Sequence, residues 1–476
     1  MARRDRYIDL IEQSFYFPTE EFTVINNELY FHGVPLMKII KEYGTPLKLT
    51  YLPKIGHNIQ DAKRYFKNAM QKSNYNGSYT YCYCTKASHF EFVLNEVLKN
   101  DVHVETSSAY DIPILRELYN QKKIDKDTFI LCNGYKRPLY LQYVSELINE
   151  GFTNVVPILD NIREIDSYDA AIKNHCNVGI RFASDEEPKF EFYTSRLGVR
   201  QNDIINLYKE KIENNPKFSL KILHFFINTG VKDTAYYWGE LTDFLNTYCE
   251  LRKICPTIDS IDIGGGFPIK TSLEFKYNYQ FMVDQIIDTI KEVCTENGVP
   301  EPNIFSEFGS FTVGESGAVL YSLLDQKLQN DKEVWYMIDG SFITNLPDMW
   351  GINQKFILLA VNHWDKKYKK VHLGGLTCDS QDYYYTDAHS ADIYLPVLND
   401  NDPKKQYIGF FHTGAYQESL GGYGGIQHCL IPAPKHVLID RDEDGEVVTK
   451  LFAKEQESDS MLKILGYTKK ERVPSK

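Results

Sequence analysis

The chain has 476 residues, 43% of them hydrophobic and 25% charged, which is ample for a large core and favours two or more domains. A net charge of −12 argues against nucleic acid as the main partner and mildly favours cationic small molecules. Nine scattered cysteines do not suggest a disulfide framework, and no run of about 18 apolar residues offers a membrane span.

In chain order, Met1-Ala-Arg-Arg-Asp-Arg opens a mixed segment without the apolar stretch of a secretory signal, so a cytoplasmic protein is expected. Residues 22–33 alternate apolar and polar side chains and predict a strand. Val34-Pro-Leu-Met-Lys-Ile-Ile-Lys-Glu-Tyr has helical spacing, ended by Gly44 and Pro46. From residue 56 helical segments alternate with eight short apolar runs: Tyr79–Cys84, Val102–Glu105, Thr128–Leu131, Asn154–Leu159, Asn177–Phe182, Lys221–Ile227, Ser260–Ile263 and Asn303–Ser306. That count and order predict an α/β fold, a (β/α)8 TIM barrel. After about residue 315 Tyr- and Gly-rich short strands predict an antiparallel β domain, with turns at Asn399-Asp-Asn-Asp-Pro403 and Asp440-Arg-Asp-Glu-Asp-Gly445. The expected domains are residues 1–55, joining the β domain, the barrel 56–315, and the β domain 316–476, with a charged tail from about Lys469. Cys82 and Cys84 have no second Cys or His pair nearby, so no metal site is expected.

Catalytic groups of a barrel sit at the C-terminal ends of its strands. Lys86 stands just past the first run, where a buried lysine needs a partner or a covalent role. Gly264, Gly265 and Gly266 follow the seventh run, where barrels commonly bind phosphate and where glycines let backbone N–H groups close on an anion. Glu307 ends the eighth run, placed to keep a cofactor ring nitrogen protonated. Singly these are a surface lysine, a flexible turn and an ion-paired carboxylate; together they are an imine-forming amine, a phosphate loop and a pyridinium partner.

Four further segments carry a resemblance: Leu131-Cys-Asn-Gly-Tyr-Lys, Ser341-Phe-Ile-Thr-Asn-Leu-Pro-Asp-Met-Trp-Gly-Ile-Asn-Gln, Leu376-Thr-Cys-Asp-Ser and Gly414-Ala-Tyr-Gln-Glu-Ser-Leu-Gly. From about residue 25 to about residue 440 the chain resembles the alanine-racemase-like (fold type III) decarboxylases that use pyridoxal 5'-phosphate. Within that group it looks most like biosynthetic arginine decarboxylases. The resemblance implies that Lys86 holds the cofactor covalently, with Glu105 supporting the cofactor or the lysine. Arg181 would orient the ring hydroxyl or Glu307. The three glycines, helped by Tyr416, would hold the phosphate. Cys378 would return a proton to Cα after carbon dioxide leaves, and Asp379 and Asp348 would meet the substrate. In the family the Cys-Asp pair reaches the neighbouring subunit's site, so a homodimer with shared sites is implied.

The chain departs from the family at three places. Phe226 replaces the histidine expected over the cofactor ring; it can stack but not donate a hydrogen bond. Asn228-Thr229 replaces Gly-Ser, and Ser310 replaces an arginine near the phosphate, which removes a bidentate cation, although Thr229 and Ser310 remain able to hydrogen-bond. The long arginine decarboxylases also carry a helical insertion after the barrel, for which Tyr321 to Val334 is too short. The alternatives are a decarboxylase of ornithine, lysine or diaminopimelate, a racemase of the same fold, and a cofactor-binding regulatory homologue that has lost catalysis. Glu307 argues against the racemase, which places an arginine at the ring nitrogen.

Overall fold

The computed structural model describes residues 6–11, 17, 19, 21–184, 195–388, 390–398 and 405–467. The expected turn at 399–403 and the tail from Lys469 lie outside these residues. The chain divides into two units, one of residues 1–54, 269–276 and 314–476, the other of residues 55–268 and 277–313.

The second unit is the barrel. Its strands are Tyr79–Cys84, His103–Thr106, Ile130–Cys132, Val155–Leu159, Cys176–Ala183, Phe218–His224, Ser260–Asp262 and Asn303–Glu307. All neighbours pair in parallel, and the ring closes where Glu307 stands opposite Cys82. Each of the eight apolar runs forms one strand, offset from its predicted ends by a few residues. The runs are continuous rather than alternating because parallel strands are covered on both faces. Inside the ring Cys82, Leu131, Val156, Ile158, Ile222 and Phe305 pack into one buried cluster.

Side-chain caps fix where the crossover helices begin. Thr234 accepts from the Tyr237 amide at the start of Ala235–Ile254, and Asn278 accepts from the Phe281 amide at the start of Tyr279–Asn297. Gly298, at φ 67°, ends the second of these helices in the left-handed conformation.

The first unit is a mixed sheet rather than a purely antiparallel one. Leu47–Tyr51, buried at every residue, lies antiparallel to Gly317–Gln329 and parallel to Lys435–Arg441. Gly317–Gln329 also pairs with Tyr407–Phe411 and with Glu333–Ile338. The second of these pairings is a long hairpin, and it fills the stretch in which a helical insertion had no room. The turn within Asp440–Gly445 joins Lys435–Arg441 to Val447–Ala453, with Gly445 at φ 81°.

The strand expected over 22–33 is instead a hairpin of Phe22–Ile25 and Glu28–Phe31. Asn26 and Asn27 both have positive φ, 52° and 65°, which is the geometry of a two-residue hairpin turn. The alternating pattern runs straight through such a turn, so periodicity alone did not reveal it. The helix that follows is Leu36–Tyr43, and Gly44 ends it at φ 77°.

Candidate active site

The polar groups of the barrel unit converge at the C-terminal ends of its strands. Lys86 lies in the short turn Thr85–Ala87, directly after the first strand. Its side chain is 44% exposed, not buried as the strand-end argument expected, and its Nζ stands 3.8 Å from Glu105 Oε2. Glu105, on the second strand, is fully buried. Its Oε2 accepts from the Cys84 thiol at 2.6 Å, whereas Oε1 is buried with no hydrogen-bond partner.

Glu307 ends the eighth strand inside a cluster that the sequence did not reveal. The polar ends of Glu307, His224 and Asp262 all lie within 4.8 Å of one another, and all three residues are buried. Asn133 completes the group. Its Oδ1 accepts from the Gly134 amide, which directs Nδ2 toward His224 Nε2 at 3.1 Å and toward both Glu307 oxygens at 3.4 Å. Because Asn133 donates to Nε2, the ring proton of His224 sits on Nδ1, which donates to Asp262 Oδ2 at 2.9 Å.

Burial sets the protonation states. It lowers the His224 pKa to about 4, so the imidazole is neutral. It raises Asp262 to about 7 and holds Glu307 well above the usual carboxylate range, with the Asp262 charge adding to the second shift. Two ionised carboxylates about 4 Å apart repel by about 4 kcal/mol even at an effective dielectric near 20. Burial and the neighbouring Asp262 charge therefore both favour the protonated form of Glu307.

The glycine loop is only partly available to an anion. The Gly264 amide donates to Asp262 Oδ1 at 2.8 Å, and its carbonyl accepts from the Glu307 amide at 2.8 Å. Gly264 is thus committed to holding the loop against the cluster, although the triplet as a whole was expected to bind phosphate. A Cβ on Gly265 would stand 2.5 Å from the Glu307 carbonyl oxygen, and one on Gly266, at φ 105°, would press 3.0 Å from Gly230 Cα. Only glycine fits either position. Thr229 Oγ1 is buried without a hydrogen-bond partner, and Ser310 is half-buried at the first turn after the eighth strand.

Arg181, on the fifth strand, is buried, and its guanidinium carbon lies 5.5 Å from the centroid of the Phe226 ring. Phe226 is 38% exposed, which is unusual for phenylalanine and leaves a ring face on the surface of the barrel unit.

The remaining expected residues belong to the other unit. Cys378 is exposed. Asp379 Oδ1 accepts from the Gln381 amide at 2.8 Å, so this aspartate shapes its own turn, and its Oδ2 lies 3.3 Å from His428 Nε2. Asp348 accepts from Gln417 Nε2 at 2.6 Å, and burial raises its pKa. Tyr416 is half-buried at φ 65°.

Asp262, His224 and Asn133 were missed as site residues. A signal existed for Asp262: a lone carboxylate in an apolar strand, two residues before a glycine, needs buried donors. Asn133 had no comparable signal, since Asn-Gly reads first as a turn.

The donor set fits one kind of group. A lysine amine within reach of a buried glutamate, a second buried carboxyl whose pKa burial raises, an orphaned buried hydroxyl and glycines that exclude any Cβ suit an aromatic aldehyde bearing a ring nitrogen and a phosphate. These features define the pyridoxal-phosphate class of enzymes. Within it the chain belongs to the pyridoxal-dependent decarboxylases: residues 57–314, more than half of its length, match the pyridoxal binding domain of that family. Among full-length relatives, the biosynthetic arginine decarboxylase of Prochlorococcus marinus subsp. pastoris is 22% identical over 93% of this chain and 86% of its own. That of Bacteroides thetaiotaomicron is 21% identical over 90% and 84%. Among solved structures, the biosynthetic arginine decarboxylase of Campylobacter jejuni superposes with a TM-score of 0.79 at 18% identity, covering 94% of this chain and 89% of that one. The diaminopimelate decarboxylase of M. jannaschii gives 0.78 at 17% identity, covering 94% and 98%. Among the described residues no helix is long and apolar enough to cross a membrane.

Proposed function

We propose that the protein decarboxylates L-arginine to agmatine and carbon dioxide, in the cytoplasm and as a step of polyamine biosynthesis. The observation that carries the decarboxylase reading is the Glu307 carboxyl, buried beside Asp262 and His224 at the end of the eighth strand, where burial raises its pKa. Arginine as substrate is supported by the likeness of nearly the whole chain to relatives that bear that name.

Pyridoxal phosphate, when bound, supplies the electron sink for the pair left at Cα when carbon dioxide departs. Glu307 would face the pyridine nitrogen and favour its protonated form, and Asn133 fixes the carboxyl by donating to both of its oxygens. Lys86 carries the amine that bonds the cofactor, and Glu105, 3.8 Å away, steadies its charge. Gly265 and Gly266 offer amides to the phosphate and Thr229 its unpartnered hydroxyl, with Ser310 on the same side. Phe226 offers an aromatic face for stacking, and Arg181 lies against that ring. Cys378 returns a proton to Cα, while Asp379 and Asp348 supply negative charge for a cationic substrate end. We place Cys378 and Asp379 in the site of a second copy, in an isologous homodimer.

Purified protein supplied with pyridoxal phosphate should release carbon dioxide from arginine faster than from lysine, ornithine or diaminopimelate, with agmatine as the amine product. A different preferred substrate among these four would overturn the choice of arginine and leave the decarboxylase reading intact. Inversion of stereochemistry without carbon dioxide would remove both.

A further inference from the structure

Seven of the nine cysteines are buried, and the two exposed ones meet. Cys378 and Cys429 stand 51 residues apart in sequence, yet their Sγ atoms lie 3.7 Å apart. Both flanking segments are held in place. The Thr377 amide and hydroxyl both donate to Asp382 Oδ2, at 3.1 and 2.7 Å, and Asp379 closes its own turn on Gln381. Next to Cys429, His428 reaches back to Asp379 Oδ2 at 3.3 Å, a second link between the same two segments. Cys429 and Leu430 have φ of 56° and 52°, in the left-handed region that non-glycine residues rarely adopt.

We propose that Cys378 and Cys429 are a redox-modification site, closing into a reversible intrachain disulfide that removes the Cys378 thiol from service. A disulfide requires its sulfurs at about 2.05 Å, so they need approach by only about 1.7 Å, within the reach of side-chain rotation. A hydroperoxide is the oxidant. One thiolate attacks its outer oxygen, forming a sulfenic acid as the O–O bond breaks and an alcohol, or water, leaves. The second thiol attacks that sulfur, the S–S bond forms and water departs. Two thiols and one hydroperoxide thus give one disulfide, one alcohol and one water. A dithiol reverses the change. The effect on turnover rests on the proton-donor role proposed above for Cys378; the disulfide itself does not.

The test treats cofactor-loaded protein with a modest excess of hydrogen peroxide. Expected are a fall from nine titratable thiols to seven after denaturation, a non-reduced peptide joining Cys378 to Cys429, and turnover that falls in step with that peptide and returns with dithiothreitol. Cys429→Ser should keep wild-type turnover before oxidation and give no such peptide after it. Absence of the linked peptide while Cys378 becomes oxidised overturns the proposal. So does one tightly retained zinc per chain that blocks both thiols, since these two cysteines with His428 and Asp379 would then be ligands. A complete link with unchanged turnover supports the pairing and overturns the proton-donor role of Cys378 instead.

Discussion

The two units handle their reactive groups in opposite ways. In the barrel unit Glu105, His224, Asp262 and Glu307 are withdrawn from water, and burial lowers the pKa of His224 and raises those of Asp262 and Glu307. In the β unit Cys378, His428 and Cys429 are exposed to solvent and Asp379 beside them is half-buried. Buried groups act through a fixed electrostatic environment, built once by folding. Exposed groups gain comparable influence only when another surface covers them and excludes water.

The largest effects should come from removing one group of each kind. Cys378→Ala should cut turnover on the order of 10²–10⁴-fold, the usual span for a residue that moves a proton in the reaction, and Lys86→Ala, which removes the amine that bonds the cofactor, should cut it at least as far. If Cys378 serves a second copy's barrel, mixing and re-equilibrating the two inactive variants should restore about a quarter of wild-type turnover by random pairing. No recovery, with subunit exchange shown independently, would place both residues in a site from one chain.

Glu307→Gln probes the buried side alone. It should lower turnover on the order of 10²–10³-fold, the scale of losing one preorganised electrostatic group, while the protein stays folded and cofactor-loaded. Near-normal turnover would show that burial at this position serves packing, not chemistry.

A smaller effect is expected at Gly265. An added Cβ would meet the Glu307 carbonyl at 2.5 Å, so Gly265→Ala should destabilise the apo protein by about 1–3 kcal/mol, read as a lower denaturant midpoint. It should also weaken phosphate binding. An unchanged midpoint would mean that the loop yields, and that its glycines serve the ligand only.

The finest test uses pH on apo protein. His224 falls to about 4 in the folded state from an ordinary 6.5, so the folded chain binds fewer protons in that window and loses stability as pH falls through it. Asp262 rises from 3.8 to about 7, so the folded chain binds more protons and loses stability as pH rises through that window. The two contributions oppose each other and flatten the wild-type profile. Asp262→Asn removes the second, and its stability should then drop between about pH 6.5 and 4 by up to about 3 kcal/mol relative to wild type. A variant profile parallel to wild type would disprove the opposing pair.

The same contrast explains what could be read in advance. Eight apolar runs with helix-length spacers announce a barrel, because strand burial on both faces leaves its mark on every residue. Lys86, Gly265 and Glu307 stand out because their positions relative to strand ends are visible in one dimension, whereas Glu105 was reached only through the family resemblance. Contacts between strands are not. Asn133, His224 and Asp262 come from the third, sixth and seventh strands and become a cluster only when the ring closes. The Cys378–Cys429 pair joins turns that nothing in the spacing connects. The Asn26–Asn27 turn was legible in principle, since asparagine tolerates positive φ, but an unbroken alternation concealed it.

Asp262 holds the Gly264 amide with one oxygen and the His224 ring with the other. If the glycine loop holds the phosphate and Glu307 faces the ring, as proposed, one carboxyl ties the shape of that loop to the charge state beside the ring. Grip on the cofactor and the electronic setting of its ring are then inherited together. A laboratory lineage selected for tighter cofactor retention through this loop should drift in its spectrum and pH profile as well, and reverting one trait should require a second change at His224 or Asn133 rather than at the glycines.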